Sequence, residues 1–340
     1  MRHICLALCL SVLALPGLAQ EIEARKVYPG TGDHSLRIIS TADLDVFHPY
    51  ILAFQKARPD LTVEYSVASS VELYKAIRAE AEYDLALSSA MDLQMQLAND
   101  GFAQGYRSTR TDALPDWARW RDLIYAFTAE PAVVVLSTKV LGDRPLPATR
   151  QDLINLLRTH PDRFVNAVGT YDVRESGLGY LFATQEARST DAYWRLSEVM
   201  GRLLPRLFCC SSQMVEEVIA GDLALAYNVL GSYASERLAR ETDDTIRIVR
   251  MEDFANVMLR TAIIPANARN TDDAGAMMDW LLEVGLRESA DAWPLPPLNK
   301  SSAAATTGFG PIRLGPALMI YLDPLNRRAF LEEWENALEQ

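Results

Sequence analysis

Small hydroxyl, glycine, tyrosine and asparagine residues stand at four places in this chain where an apolar run gives way to a helical pattern. The places are Ser40-Thr41, Ser88-Ser89, Gly169-Thr170-Tyr171 followed by Ser176-Gly177, and Tyr227-Asn228 within the stretch AYNVLGSYA. Side chains of these types hydrogen-bond to oxygen-rich or anionic groups, and the start of a helix adds unpaired N–H groups and the positive end of its dipole. Taken singly, a Ser or Thr at a helix start is an ordinary cap worth about 1 kcal/mol. The recurrence of the pattern in both halves of the chain points instead to one shared cleft for a small ligand. Tyr227 is read as a wall of that cleft and Tyr233, farther into the next helix, as packing. Arg174, in YDVRESG, is placed to grip a carboxylate or phosphate in fork geometry, or to pair on the surface with Asp172 or Glu175.

The elements that must position these residues alternate. Leu36 to Ser40 reads as a buried strand, followed by a helix to about Arg58 capped by Thr41 or Asp43. A second strand spans 61–67, Ser69-Ser70 caps a helix to about Glu82, and a third strand spans 83–87 ahead of a helix over 91–99. Strand-helix alternation with short connections predicts an α/β fold of parallel sheets flanked by helices. Near Thr128-Ala-Glu-Pro131 the rhythm breaks, because Pro131 cannot donate to a central ladder. The strand-like segments on either side, 123–127 and 132–136, are expected to carry the chain into a second lobe. That lobe repeats the theme, with strands at 164–168 and 223–227 and helices at 150–158, 191–204, 214–220 and 232–240. Strands at 246–250 and 257–264 return the chain. The expected division is 35–127 with 256–340 as lobe 1 and 128–255 as lobe 2, with hinges near Thr128–Pro131 and Met251–Asn256. Ligands of open parallel sheets collect beyond the carboxyl ends of the strands, where all four clusters fall.

The N-terminus sets an expected compartment. Met1-Arg2-His3, an apolar run over 4–16 and small residues at 17–19 read as a secretory signal peptide over 1–19, which leaves a periplasmic protein. The remaining length is ample for two lobes of ordinary size. Residues are 49% hydrophobic and 23% charged, and the formal net charge of -12 argues against nucleic acid or an anionic membrane as the main partner. Cys5 and Cys9 fall in the signal, so Cys209 and Cys210 are the two cysteines left, either as a vicinal disulfide or as two thiols. With His34, His48 and His160 scattered, no metal cluster is expected. No G-x-S-x-G, H-E-x-x-H or G-x-x-x-x-G-K occurs in the chain, which moves the expectation from enzyme to binder, with no cofactor.

FHPYILAFQKARPDLTVEY, YDLALSSAMDLQMQLANDGF, AEPAVVVLST and VIAGDLALAYNVLGSYA together resemble the periplasmic solute-binding proteins of ATP-driven importers, in the branch that includes the ferric-ion binding proteins. The resemblance runs from about Leu36 to the C-terminus. It implies the type II architecture, two α/β lobes that close on a ligand by hinge motion, in a monomer whose partners are a membrane permease and its ATPase. Some similar proteins serve the ectodomain of a two-component sensor kinase instead, and that partner stays open. Ferric members place adjacent tyrosines after the strand that here ends at Tyr227, a histidine after the first strand and an acidic residue after the third. Here Asn228 follows Tyr227, Thr41-Ala42 stands in place of the histidine, and Asp92 lies beyond Ser88-Ser89-Ala90. A trivalent cation wants several anionic oxygens, so the resemblance implies an organic anion such as a carboxylate, phosphonate or sugar phosphate, with ferric ion as the alternative. The residues expected to touch it are Ser40, Thr41, Ser88 and Ser89, with Thr170, Tyr171, Arg174, Ser176, Gly177, Tyr227 and Asn228.

Overall fold

Alternating apolar residues and small hydroxyl caps build the first half of the chain as a run of strands and helices. The computed structural model describes residues 21–240, 244–287, 293–298 and 310–339, and the expected signal segment 1–19 lies outside them. The run comprises β1 (Ala24–Tyr28), β2 (Ser35–Ser40), α1 (Leu44–Ala57), β3 (Thr62–Val67), α2 (Ser70–Arg78), β4 (Leu85–Ser88) and α3 (Met91–Asn99). In α1 the buried residues Val46, Phe47, Tyr50, Ile51 and Phe54 recur on one face, which docks the helix on the sheet. Ser69 caps α2 by accepting the Glu72 N–H. The polar lead before Ser35 also contributes a strand: β1 pairs antiparallel with β3 along the edge of the sheet and buries Tyr28.

Short elements β5 (Ala103–Gln104), α4 (Thr109–Asp112) and β6 (Arg119–Trp120) lead into the long strand β7 (Ile124–Ser137). The two strand segments expected here are one continuous strand. Pro131 sits where the partner of β7 changes. Its ladder with the returning strand β12 (Val257–Pro265) ends at Pro131, and that with β10 (Leu225–Leu230) begins at Ala132. The missing donor therefore interrupts neither ladder.

The second lobe holds α5 (Thr138–Leu141), α6 (Arg150–Thr159), β8 (Val168–Tyr171), α7 (Gly177–Ser189), α8 (Ala192–Gly201) and β9 (Arg206–Phe208), then α9 (Ser211–Ala220), β10, α10 (Gly231–Arg240) and β11 (Ile246–Val249). After β12 come α11 (Thr271–Gly285) and α12 (Pro324–Leu338). The strands follow the order β1-β3-β2-β4-β12-β7-β10-β8-β9, with β11 also on β7. Pairs β2–β3, β2–β4, β8–β10 and β8–β9 are parallel, and β7 with β12 form the antiparallel crossing between the lobes.

Two strands are displaced from their expected limits, and both shifts matter for the site. β8 starts at Val168, because Pro161–Arg163 form a 3-10 turn and Asn166 takes a positive φ of 56°. β10 runs on to Leu230 through a bulge between Ala226 and Val229, where Asn228 adopts φ 62°, a conformation Asn tolerates better than most residues. The lobe assignment of the C-terminus also changes. Phe330, Trp334 and Leu338 of α12 enter the core cluster built by β8, α6 and α8, so this helix covers lobe 2 rather than lobe 1. Burying each such large side chain contributes roughly 1.5–3 kcal/mol, which ties the chain end to the second lobe.

Candidate functional site

The amino ends of α1, α2 and α3 from one lobe meet those of α7, α9 and α10 from the other around a single cavity of about 50 Å³. Thr41, Asp43, Ser69 and Ser89 line it from the first lobe, and Tyr171, Ser176, Ser212 and Tyr233 from the second. Each helix directs the positive end of its dipole inward, so a negative charge placed here is favoured from both sides. The space suits a carboxylate or phosphate group; the body of a larger solute requires the lobes to stand farther apart.

A buried ion pair underlies the cavity. Arg260 of β12 and Glu130 of β7 are fully buried and joined by Nε to Oε1 at 2.9 Å and Nη2 to Oε2 at 3.3 Å. Burial works most strongly against the Arg260 charge, but Glu130 leads the groups that together outweigh it, and the Arg260 pKa lies above its usual value. Both lobes hang on this pair. Arg260 Nη1 donates to Thr41 Oγ1 at 3.2 Å, and Ser232 Oγ donates to Glu130 Oε2 at 2.6 Å. Thr41 Oγ1 also accepts the Ser89 N–H at 3.0 Å, so the guanidinium orients the hydroxyl cluster of lobe 1.

Contacts across the cleft complete the site. The Asp43 N–H donates to the Tyr233 hydroxyl at 3.2 Å, and the Gly177 N–H donates to Ser70 Oγ at 3.1 Å. Burial raises the carboxyl pKa of Asp43 above its ordinary value, partly offset by Arg260 and a hydrogen bond from Ser212. Glu23 at the rim is raised as well, first by burial and then by Asp43. Cys209 and Cys210 form a vicinal disulfide on the cavity wall, immediately before α9. Tyr171 and Ser211 share a short hydroxyl contact, and Ser211 Oγ accepts the Leu230 N–H at 3.0 Å.

Of the residues expected from sequence, Thr41, Ser89, Tyr171 and Ser176 come together here. Ser40 and Ser88 lie just beneath, buried, each accepting an N–H two residues on and so shaping the strand-end turn. Thr170, Tyr227 and Asn228 border a separate cavity of about 20 Å³ inside lobe 2. The expected wall, Tyr227, faces the interior. Its hydroxyl donates to Glu186 Oε2 at 2.8 Å, and Glu186 is ion-paired with buried Arg150. Burial pushes the Tyr227 phenol well above its usual pKa, which opposes a phenolate there. Tyr233, expected to be packing, is the tyrosine on the main cavity. The extra residues of β10 cause the exchange, since the strand ends at Leu230 and α10 starts at Gly231.

Arg174 and Gly177 border a third, outer cavity of about 280 Å³, which Ser176 shares with the main one. Arg174 takes the surface alternative and pairs with Asp172 at 2.7 Å and Glu339 at 2.7 Å. Residues missed from sequence are Asp43, Ser69, Ser212 and the Arg260–Glu130 pair. The serines had been read as caps of these same helices. Arg260 and Glu130 were visible as single charges inside apolar strands.

Asp92, on the outer cavity, is 2% exposed, and burial raises its pKa from 3.8 to about 7. A raised carboxyl favours the folded state most at low pH, and that advantage is lost as pH rises from about 4 through 7. Asp92→Asn is therefore expected to stabilise the protein by up to about 4 kcal/mol at pH 8, with the gain fading towards pH 4, as read by urea unfolding across pH. A gain that does not change with pH would show that Asp92 is not buried in its charged form.

A family model for bacterial extracellular solute-binding proteins matches residues 36–285. The substrate binding protein of an ABC transporter from Agrobacterium tumefaciens is 31% identical, with a TM-score of 0.85 over 93% of this chain and 98% of that one. AfuA from Actinobacillus pleuropneumoniae, a periplasmic binding protein solved with fructose-6-phosphate, gives 0.67 at 15% identity over 91% of this chain and 99% of that one. The apo ferric ion-binding protein A of Pasteurella haemolytica gives 0.65 at 16% identity, over 89% of this chain and 98% of that one. No curated protein matches the sequence.

Two α/β lobes joined by crossing strands, with a polar cavity between them, define a type II periplasmic binding protein. The chain belongs to the bacterial extracellular solute-binding protein family. The family and these neighbours are transport binding proteins, which bind small ligands and work with a permease. Among the described residues, no helix is long and apolar enough to cross a membrane, and no three His, Cys, Asp or Glu side chains group to hold a metal ion.

Proposed function

We propose that this protein captures a small organic oxyanion, a carboxylate, phosphonate or sugar phosphate, in the periplasm and delivers it to the permease and ATPase of an importer. The single observation that carries this reading is the convergence of six helix amino ends, three from each lobe, on one hydroxyl-lined cavity. Thr41, Ser69, Ser89, Ser176, Ser212 and Tyr233 supply the hydrogen bonds, and Arg260 beneath Thr41 adds positive charge. Closure bends the chain about Thr128–Pro131 and the segment that enters β12 at Asn256. The position of Tyr227, turned into lobe 2, favours an organic ligand over ferric ion.

Native mass spectrometry of protein purified from the periplasm tests this reading. The expected result is an added mass of an organic anion, displaced or reduced in the Thr41→Val/Tyr233→Phe double variant. Loss of two or three charge-assisted hydrogen bonds predicts affinity weaker by about 100-fold. Iron as the bound mass, or an organic anion retained undiminished by the double variant, would overturn it.

A further inference from the structure

The outer cavity, about 280 Å³, is closed by both lobes and by the C-terminal segment. Tyr74 and Lys75 of α2 and Asp92 of α3 face Arg174 and Tyr180 of the second lobe, with Arg327 of α12 at the side. Its charge is unbalanced. Lys75, Arg174 and Arg327 meet the single carboxylate Asp92. Lys75 and Arg174 already have acidic partners outside the cavity, but no carboxylate of the described residues forms an ion pair with Arg327. The Arg327 guanidinium lies 4.8 Å from the centroid of the Tyr180 ring, which fixes its plane at the cavity edge. Asp92 also borders the cavity, its side chain largely buried and its Oδ1 accepting the Leu93 N–H at 2.9 Å. Tyr74, half-buried at the rim, adds apolar ring surface for a carbon body.

We propose that this cavity is a second binding site, separate from the main one, for a small hydroxylated organic anion whose carboxylate or phosphate meets Arg327 and whose hydroxyl meets Asp92. Because the walls come from both lobes, an occupant here is bound only when they are closed. The Gly177 N–H to Ser70 Oγ bond and Ser176 stand between this site and the main cavity, so each ligand raises affinity for the other through lobe closure.

Calorimetric titration tests the site, using mature protein unfolded and refolded to remove any retained ligand. Citrate serves as the carboxylate probe and glycerol 3-phosphate as the phosphate probe. Binding of at least one probe is expected, weakened about tenfold or more by Arg327→Gln and unchanged by Thr41→Val, since the Thr41 hydroxyl bonds stay within the first lobe and the crossing strand. Circular dichroism checks that Arg327→Gln is folded, and Lys75→Gln should shift affinity in the same direction by less. The proposal is overturned if neither probe binds at millimolar concentration. It is equally overturned if binding survives Arg327→Gln, and binding lost in the Thr41→Val variant would assign the anion to the main cavity and uphold the proposed function alone.

Discussion

Replacing Glu130 with alanine is expected to destabilise the protein by about 3–5 kcal/mol, because Arg260 is then left charged with no partner in a fully buried position. The two side chains face each other diagonally across the ladder of the crossing strands, where Arg260 is opposite Thr128 and Glu130 opposite Met258. Thr128 Oγ1 and Ser232 Oγ also donate to Glu130, so the truncation orphans three donors together. Urea unfolding measures the loss. A double variant, Glu130→Leu with Arg260→Met, should regain most of it, since replacing a buried pair with apolar side chains of similar volume is close to neutral. A loss below about 1 kcal/mol in the single variant would mean that water reaches Arg260 in place of Glu130. The double variant should nevertheless bind ligand weakly, because Thr41 Oγ1 loses the donor that orients it.

Gly177→Ala is expected to keep the lobes from closing while leaving each lobe folded. A Cβ at this position would lie 2.7 Å from Ser70 Oγ, 2.8 Å from Leu93 Cδ1 and 3.3 Å from Ala90 Cβ, all in the opposite lobe. Ser70 and Leu93 have rotamers to yield, but Ala90 moves only with the start of α3. Crowding of this kind costs about 1–3 kcal/mol when it cannot relax, and opening the cleft relieves it at the expense of the closed state. Ligand affinity should fall by roughly 5–150-fold, with little change in unfolding free energy in the absence of ligand. Small-angle scattering should then show no compaction on addition of the ligand identified by mass spectrometry. Normal compaction at unchanged affinity would place the lobe-lobe contact elsewhere.

Much of the fold was legible because it rests on local signals. The alternation of buried strands with helices recurs in the structure, and the cap read at Ser69-Ser70 forms at the start of α2, whereas the helix expected after Ser211-Ser212 starts at Ser211 itself, with Cys210 in the cap position and no side-chain cap bond. Thr41, Ser89, Tyr171 and Ser176, which line the main cavity, were singled out by one rule, that ligands meet parallel sheets at the carboxyl ends of strands. The same rule failed at β10, because where a strand ends depends on a bulge. At Asn228 the backbone takes a left-handed conformation that lets pairing with β7 resume at Val229. Three further residues then enter the strand, turning Tyr227 into lobe 2 and bringing Tyr233 to the cavity.

The amino-acid sequence by itself determined the class of fold, the crossing near Pro131, and the hydroxyl-rich helix starts, since hydrophobic period and capping act over a few residues. The pairing of Arg260 with Glu130, the docking of α12 on lobe 2, the Cys209–Cys210 bond and the choice of Tyr233 over Tyr227 were decided only by the tertiary structure. Each depends on which groups meet once water is excluded. Arg260 and Glu130 stand 130 residues apart in the chain, and no local pattern records that two buried charges will find each other there.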